Sequence, residues 1–488
     1  MFKKVLLIKP SNTIPSDSLK RLITPLSLLY IASVLRENDY KVKILDSTCE
    51  GYDVEKKEGN NITYGLSDEA IKEQIIQFKP DIVGVTSMFS SQQEQALHCC
   101  DLVKEVDKSL PVVIGGLHSS LFPKETIQHN SIDYVIMEEG EYRFLQLLND
   151  LNAGKKDFTF DGIAYLKDKK VVINPPKQKI DNLDNLPLPA RDLVDMEKYI
   201  KVGIPIGPFP RKERVEQVMT SRGCPFSCTF CSASNYFGHK FRARSVDNIM
   251  EEIDLLVNKY QIQEIQFTDD NLTADKKRAK ELFKRLKEYD LSWCTPNGIM
   301  VKTLDEEMIS LMAESGAYQI TFAIESGNDR VLKDLIHKKV PKKEEVKKLT
   351  LLSQNKGIQV HATFIVGFPG ETKEEINETL QYPFDIGFNS ASFFILSPIP
   401  GSEIYANCKS KGYLSSNDVM LNVKTAEIII PEQSTDFVIS NMELEKLVDN
   451  KTREFNEFSK KQFPEEWDTK FKQFLKKHND DLLYGRVT

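Results

Sequence analysis

Short apolar runs alternate with amphipathic stretches in the first 150 residues. The runs at 5–8, 42–46 and 81–86 are mainly apolar, with charged residues only at Lys43, Asp46 and Asp81, and the segment 26–36 between the first two has helical periodicity. Strands that are apolar along their length, with helices between them, are typical of a parallel sheet covered on both faces. We therefore predict a doubly wound, Rossmann-like α/β domain in residues 1–150. Its ligand site is expected beyond the carboxyl ends of the strands.

A second series of six strand candidates, again separated by helical patterns, predicts a parallel sheet of six βα units. Such a sheet is an incomplete, (βα)6 version of the TIM barrel, with its active site at the carboxyl ends of the strands. The predicted strands are 216–221, 264–269, 292–300, 318–325, 359–367 and 390–398.

Changes in composition predict the domain boundaries. The stretch before the second series is rich in Pro, Lys and Asp, with one short hairpin pattern, and the chain after it is charged and amphipathic. We predict a linker at 151–211, a partial barrel at 212–402 and a small, mainly helical C-terminal region at 403–488.

Charge and cysteine content narrow the function classes. The chain has 65 basic and 72 acidic residues and no basic segment of domain size, which argues against nucleic acid as the main partner. We find no signal peptide and no apolar run of transmembrane length. The eight cysteines, two of them adjacent, do not resemble a disulfide framework. These features predict a cytoplasmic protein without a transmembrane segment.

Three cysteines, Cys224, Cys228 and Cys231, stand in a C-x3-C-x2-C run. A closed structural zinc site needs four ligands, and no fourth Cys or His follows at zinc-finger spacing, His239 being eight residues on. Iron–sulfur clusters also usually take four cysteines. Three thiolates in one loop therefore suggest a cluster with one iron left open for a small molecule.

This loop resembles the cluster motif of the radical S-adenosylmethionine (SAM) superfamily. The resemblance implies a [4Fe-4S] cluster whose open iron binds the methionyl part of SAM and cleaves it to a 5′-deoxyadenosyl radical. Phe230 matches the position that packs on the adenine in that family. Considered alone, Phe230 would be an ordinary core residue.

Polar and small residues follow the later strands in the order that the superfamily uses. By this resemblance the carboxylates after the second strand receive the SAM amino group, those after the fourth bind the ribose, and the last two strand ends border the adenine. Each residue also has a simpler interpretation, as a helix cap, a solvated strand end or an ordinary turn. The residues are Asp269 and Asp270, Glu325 and Ser326, and Gly367 and Ser397.

The strand ends of the first domain resemble those of cobalamin-binding domains. Domains that bind cobalt through histidine carry Asp-x-His-x-x-Gly, and the matching segment here runs from Asp46 to Gly51 with Thr48 at the histidine position. We therefore expect cobalamin without a histidine on cobalt, or else a flavodoxin-like domain without a ligand. The predicted cobalamin residues are Asp46, Thr86, Ser87, Gly115, Gly116, Glu139 and Gly140.

Together the two domains resemble class B radical SAM methyltransferases and the related anaerobic Mg-protoporphyrin monomethyl ester cyclases. The resemblance implies methylation of an unactivated carbon of a small molecule, with cobalamin as methyl carrier and an external electron donor such as flavodoxin or ferredoxin. Cyclisation, rearrangement or oxidation without methyl transfer is the alternative reaction, and a non-catalytic redox or cobalamin-sensing module is the alternative class. Methylthiotransferases carry three dispersed cluster cysteines in this first domain. They are disfavoured because the first 150 residues lack that set and contain only Cys49, Cys99 and Cys100. The sequence does not identify the substrate.

Overall fold

The computed structural model describes residues 1–16, 18–203, 206–207, 210–414 and 436–464. They fall into two compact units, Met1–Val202 and Gly203–Thr488. Among these residues, no helix combines the length and the apolar character needed to cross a membrane.

A seven-stranded sheet organises the first unit, in the order β10-β9-β8-β7-β6-β1-β3. The five strands from β8 to β3 are parallel, and the hairpin β9–β10 adds two antiparallel strands at one edge. A separate antiparallel sheet, β2-β5-β4, was not predicted, because its strand β4 is charged and fully exposed and carries no apolar pattern. The strands are β1 (Lys4–Lys9), β2 (Asn12–Pro15), β3 (Lys41–Asp46), β4 (Glu55–Glu58), β5 (Asn61–Tyr64), β6 (Ile82–Thr86), β7 (Val112–Gly115), β8 (Tyr134–Ile136), β9 (Ile163–Lys167) and β10 (Lys170–Asn174).

Apolar side chains from both faces of this sheet pack beneath helices. One core joins Leu6 and Val83 to α3 and α4, and the other joins Leu7 and Val113 to α1 and α7. Strands buried on both sides explain the mainly apolar runs, and the predicted doubly wound domain is confirmed. The helices are α1 (Leu26–Glu37), α2 (Ser47–Glu50), α3 (Asp68–Phe78), α4 (Gln93–Val106), α5 (Leu117–Leu121), α6 (Pro123–Ile127), α7 (Glu141–Asn152) and α8 (Met196–Val202).

Much of the predicted linker packs with this first unit. Strand β9 extends the sheet by pairing with β8. Farther on, α8 places the Tyr199 hydroxyl 2.5 Å from the buried carboxylate of Asp46, to which it donates a hydrogen bond. The compact unit therefore ends at Val202, beyond the predicted boundary at residue 150.

Six parallel strands form the sheet of the second unit, in the strictly sequential order β11-β14-β15-β16-β17-β18. Helices connect successive strands, so the predicted partial barrel is confirmed. A small ribbon, β12–β13, lies outside this sheet. The strands are β11 (Val215–Val218), β12 (Ser221–Arg222), β13 (Arg242–Ala243), β14 (Glu264–Phe267), β15 (Ser292–Ile299), β16 (Ala317–Glu325), β17 (Gln359–Val366) and β18 (Ser390–Ile395).

Strand β17 shows how the barrel wall is built. Its even-numbered residues from Val360 to Val366 are fully buried, and Phe364 stacks on Phe393 of β18. The odd-numbered residues are only partly buried, and His361 among them bonds Ser390 and Ser392 of β18. The helices are α9 (Ala233–Phe237), α10 (Val246–Tyr260), α11 (Lys276–Leu286), α12 (Glu306–Glu314), α13 (Lys343–Asn355), α14 (Lys373–Ile386), α15 (Glu403–Ser410) and α16 (Asn441–Gln462).

The described part of the C-terminal region is helical and belongs to the wall of the barrel. Helix α16 begins with a capping box at Ser440 and packs Leu444 and Val448 against β17 and α14. Residues 415–435 and 465–488, which the mainly helical prediction also covers, lie outside the described residues.

A buried carboxylate links three chain segments at the amino end of the barrel. Glu264, the first residue of β14, accepts hydrogen bonds from the backbone N–H groups of Arg211 (2.6 Å) and Lys212 (2.9 Å) and from the Tyr318 hydroxyl (2.6 Å). Burial raises the pKa of Glu264. These three bonds hold the end of the connecting chain against β14 and β16.

We expect Glu264→Ala to lower the free energy of unfolding by about 3–5 kcal/mol, because it takes the acceptor from the buried Tyr318 hydroxyl and from two partly buried backbone N–H groups. Tyr318→Phe removes one of these bonds and should cost about 1.5–3 kcal/mol. Anaerobic denaturant titration of the full chain measures both. An equal loss of unfolding free energy in the two variants would contradict the conclusion that Glu264 stabilises the structure through all three hydrogen bonds.

Candidate functional site

The three cysteines lie in a loop that follows the short strand β12. Each is partly exposed, and the Cys231 N–H donates to the Cys228 carbonyl at 3.1 Å, which closes the turn between them. Gly223 precedes the loop at φ +85°, and a Cβ there would lie 2.6 Å from the Lys240 carbonyl oxygen. Burial raises the pKa of the Cys224 thiol to about 11. Ligation of iron would deprotonate these thiols.

The cysteines do not form a site for a single ion. Among the described residues, no three His, Cys, Asp or Glu side chains converge closely enough to bind one metal ion. A cluster places a different iron at each cysteine, so its ligands need not converge on one point. Three thiols in one loop are a donor set that fits an iron–sulfur cluster with one iron left open.

The two predicted carboxylates after β14 have different surroundings. Asp269 is buried and accepts hydrogen bonds from the backbone and hydroxyl of Thr220 (3.1 and 2.6 Å) and from the hydroxyl of Ser221. It therefore fixes the chain that leads into the cysteine loop and has little capacity left for a ligand.

Asp270 faces the cysteine loop with a largely uncommitted carboxylate. One oxygen accepts from the Gly223 N–H at 3.2 Å. Burial, followed by the charge of Asp269, raises the pKa of Asp270 to about 6. An anionic group beside the open side of the loop is suited to an ammonium, so Asp270 is the better candidate for the SAM amino group.

Glu325 and Ser326 also point to different partners. Glu325 ends β16 in the left-handed region at φ +73°, and its Oε1 accepts a hydrogen bond from the Lys338 ammonium at 2.9 Å. A non-glycine residue held in that region costs about 1–3 kcal/mol and often marks a functional site. Ser326 is fully buried and bonds Thr379 of α14 at 2.8 Å, so it supports the wall rather than facing a ligand.

The predicted adenine border comes together from three parts of the chain. Phe230 of the cysteine loop meets Phe368 edge to face, with ring centroids 6.5 Å apart, and both pack with Leu396. Gly367 has φ +91°. Ser397 follows Leu396, whose N–H donates to the Val366 carbonyl. The structure therefore brings Phe230, Gly367 and Ser397 to one region.

Glu371 supports this region, although the sequence analysis did not select it. Its Oε2 accepts from the N–H groups of Gly367 (2.7 Å) and Phe368 (3.0 Å), while its buried Oε1 has no hydrogen-bond partner among the described residues. Burial raises the pKa of Glu371 to about 7. The role of Glu371 could have been predicted from the Gly-Phe-Pro-Gly-Glu run, since a carboxylate can accept hydrogen bonds from the amides three and four residues before it.

In the first unit, the ends of β6 and β7 form a glycine-lined turn. Gly116 has φ +129°, and a Cβ there would lie 2.2 Å from the Ser87 carbonyl oxygen, so no other residue fits. Ser87 itself is buried and bonds Gln93 at 2.6 Å. The hydroxyl of the fully buried Ser119 has no partner among the described residues. A close-approach turn beside a buried polar atom fits a bound group such as cobalamin.

The other predicted cobalamin residues have partners within the protein. Asp46 accepts hydrogen bonds from the hydroxyls of Thr48 (2.6 Å) and Tyr199 and ion-pairs with Lys9 at 3.0 Å. Glu139 accepts from the Ile180 N–H at 2.7 Å. Thr48 is thus a buried structural residue.

The strand order of the first unit has a switch point close to some of the predicted cobalamin residues. The parallel part reads β8-β7-β6-β1-β3, so the connections reverse direction between β1 and β6, and ligands of doubly wound sheets bind at such a point. Thr86 ends β6 close to this point. Gly115 ends the neighbouring strand β7, and Gly116 comes directly after it. Asp46 ends β3 at the sheet edge.

Two family models match the chain. The radical SAM superfamily model matches residues 218–382, and the B12 binding domain model matches residues 14–148. The chain is 39% identical over 459 residues to the cytidylyl-2-hydroxyethylphosphonate methyltransferase of Streptomyces wedmorensis, covering 88% of this chain and 86% of that protein. It is 33% identical to an uncharacterised methyltransferase of Pyrococcus horikoshii, covering 86% and 85%.

Solved structures share the fold. TsrM from Kitasatospora setae, a radical SAM methyltransferase with bound tryptophan and a SAM analogue, superposes with a TM-score of 0.68 at 17% identity, covering 84% of this chain and 76% of TsrM. The cobalamin-dependent radical enzyme OxsB gives a TM-score of 0.64 at 17% identity, covering 93% and 62%.

We expect Asp270→Asn to weaken SAM binding about tenfold or more while retaining iron, because a charge-assisted contact is lost. Asp269→Asn removes a charged acceptor that holds the cluster loop and should instead lower the iron bound per chain. Iron analysis and calorimetric SAM titration distinguish the two effects. The reverse pattern would exchange the roles of the two carboxylates.

Glu325→Gln should likewise weaken SAM binding by roughly tenfold without loss of iron, since the amide keeps the shape and loses the charge. Ser326→Ala, next in the chain but directed at Thr379, is the matched control and should bind SAM as the wild type does. Equal affinity in Glu325→Gln and wild type would remove Glu325 from the SAM site.

Proposed function

We infer that this chain, which belongs to the cobalamin-dependent radical SAM methyltransferases, adds a methyl group to an unactivated carbon of a cytidylylated phosphonate. One observation carries the inference: a three-cysteine loop, Asp270 and Glu325 follow or end the first, second and fourth strands of one parallel sheet, in a chain 39% identical to a methyltransferase named for such a substrate. The strand ends of a TIM-like sheet share one edge, where these enzymes do their chemistry.

The chain uses a [4Fe-4S] cluster, SAM and cobalamin, in agreement with the sequence analysis. When bound, these groups supply the electron, the radical and the methyl group, and the protein supplies placement and exclusion of water. We assign the cluster to Cys224, Cys228 and Cys231. Asp270 would hold the SAM ammonium, and Glu325 would accept from the ribose hydroxyls.

The adenine would lie between the loop and the end of β17. Phe230 and Phe368 provide the apolar surface there, and the left-handed Gly367 lets the backbone approach closely. In the first unit, we assign cobalamin to the switch point at Thr86, Ser87, Gly115 and Gly116, with Ser119 as an additional hydrogen-bonding group. Asp46, Glu139 and Gly140 would support the domain around it.

An external one-electron donor, of the flavodoxin or ferredoxin class, would reduce the cluster. Pro225 and Ser227, within the cysteine loop, are exposed and give such a donor access. Ring formation without methyl transfer is the second candidate reaction, because the anaerobic Mg-protoporphyrin IX monomethyl ester cyclase of Rubrivivax gelatinosus is 29% identical over 359 residues.

Anaerobically reconstituted enzyme, supplied with cobalamin, SAM carrying a deuterated methyl group, a reductant and cytidylyl-2-hydroxyethylphosphonate, should give a product that contains the deuterated methyl group. Mass spectrometry of the product detects it. Replacing the three cluster cysteines by Ala should abolish both methylation and formation of 5′-deoxyadenosine. Formation of 5′-deoxyadenosine without methylated product would favour ring formation or another substrate. No cleavage of SAM at all would refute the radical mechanism.

The cobalamin that copurifies with the protein should show no nitrogen superhyperfine splitting in its paramagnetic cob(II) spectrum, since Thr48 is buried against Asp46 and stands where a ligating histidine would be. Electron paramagnetic resonance of the reduced, cobalamin-loaded protein measures this. Nitrogen splitting would show that another residue or the cofactor's own base binds cobalt.

A further inference from the structure

The segment 326–338 leaves β16 after Glu325 and returns to it. Lys338, at the end of the segment, places its ammonium 2.9 Å from Glu325 Oε1, and the two side chains are only 3% and 8% exposed. Glu325 Oε2 has no partner among the described residues, so one oxygen of the paired carboxylate remains for a ligand. A buried ion pair of this kind is costly unless its geometry is well defined.

The same segment also holds the cluster loop, through Leu335 and Ile336 near its carboxyl end. Thr229 lies between the second and third cysteines and is 4% exposed. Its N–H donates to the Ile336 carbonyl at 3.0 Å, and its hydroxyl donates to the Leu335 carbonyl at 2.7 Å. The Thr229 carbonyl accepts from the Ile404 N–H at 2.9 Å.

The local backbone explains why these carbonyls are available. Residues Val331–Leu335 form a π-helical turn, in which the Ile336 N–H donates to the Val331 carbonyl. The turn ends at His337, whose φ is +59°. The last carbonyls of a helical turn lack partners inside the turn, and here Thr229 supplies them. Isolated π-turns often occur at functional sites.

We propose that residues 326–338 are a coupling segment, which holds Glu325 and the cluster loop in one fixed arrangement, with Lys338 and Thr229 as positioning residues. This inference rests on the proposed SAM site at Glu325. Lys338 fixes the carboxylate that receives the ribose, and Thr229 fixes the loop that carries the cluster. SAM has to engage both at once, so its affinity depends on their mutual placement.

The test is a double-mutant cycle in SAM affinity, measured by calorimetry on reconstituted enzyme with four irons. We expect Thr229→Val and Lys338→Met each to raise the Kd for SAM about tenfold, because each removes one of the contacts that hold the carboxyl end of the same segment. The double variant should bind little worse than either single variant, since residues that act as one unit are non-additive.

Thr350→Val is the matched control. Thr350 is fully buried, and its hydroxyl donates to the Val346 carbonyl at 2.8 Å, a bond of the same kind within α13. This variant should leave the Kd unchanged, alone and combined with Lys338→Met. Unchanged affinity in Thr229→Val, or additive losses in the double variant, would overturn the coupling segment.

A second measurement covers the case in which Thr229→Val does not retain four irons. Lys338→Met removes a buried positive charge from the SAM site beside the cluster loop, so the reduction potential of its cluster should become more negative than that of the wild type. An unchanged potential, or unchanged SAM affinity in that variant, would then overturn the proposal. Wild-type enzyme that neither binds nor cleaves SAM would instead overturn the proposed function.

Discussion

The buried carboxylate of Asp269 is the interaction on which the arrangement of the barrel edge depends. It lies just beyond β14 and receives three hydrogen bonds from Thr220 and Ser221, at the point where the chain leaves β11 for the cysteine loop. A loop that carries reactive thiols cannot itself be packed into a core, because its cysteines must reach a ligand. Its position therefore has to be imposed from the neighbouring strand end, and a charged acceptor with three donors imposes it strongly.

A similar pair of residues occurs at another strand end of the second unit. In each pair, one polar residue fixes the backbone through its hydrogen bonds, and the adjacent one has a carboxylate oxygen available to a ligand. Asp269 supports while Asp270 faces the loop, and Ser326 supports while Glu325 keeps an oxygen available. A residue held by its neighbour loses less conformational freedom when a ligand arrives, which favours tight and specific binding.

Much of this organisation was predictable from the sequence. Mainly apolar strands in the first domain and six strand candidates in the second, each series separated by helical patterns, predicted both parallel sheets, and the cysteine spacing predicted the cluster loop. The sequence did not show which residue fixes the backbone and which one is available to a ligand. Asp269 and Asp270 are identical side chains and differ only in which donors surround them. Lys338 and Thr229 were missed because their partners are backbone carbonyls or a carboxylate far along the chain.

The match of Asp46–Gly51 to a cobalt-binding pattern shows the same limit. The pattern is present in the sequence, but its aspartate caps a short helix and accepts a hydrogen bond from Tyr199 of α8. The strand order, which local patterns do not reveal, has its switch point between β1 and β6.

The barrel has an open seam, because β11 and β18 are the two ends of the sheet and do not pair in the part of the chain that the structure describes. On the last strand, Phe394 is 52% exposed although its neighbour Phe393 packs against the wall. Every strand of a closed eight-stranded barrel has a strand neighbour on both sides. In the described part of this chain, β11 and β18 have one strand neighbour each, so the sheet keeps two free edges that helices and loops, rather than further strands, have to flank.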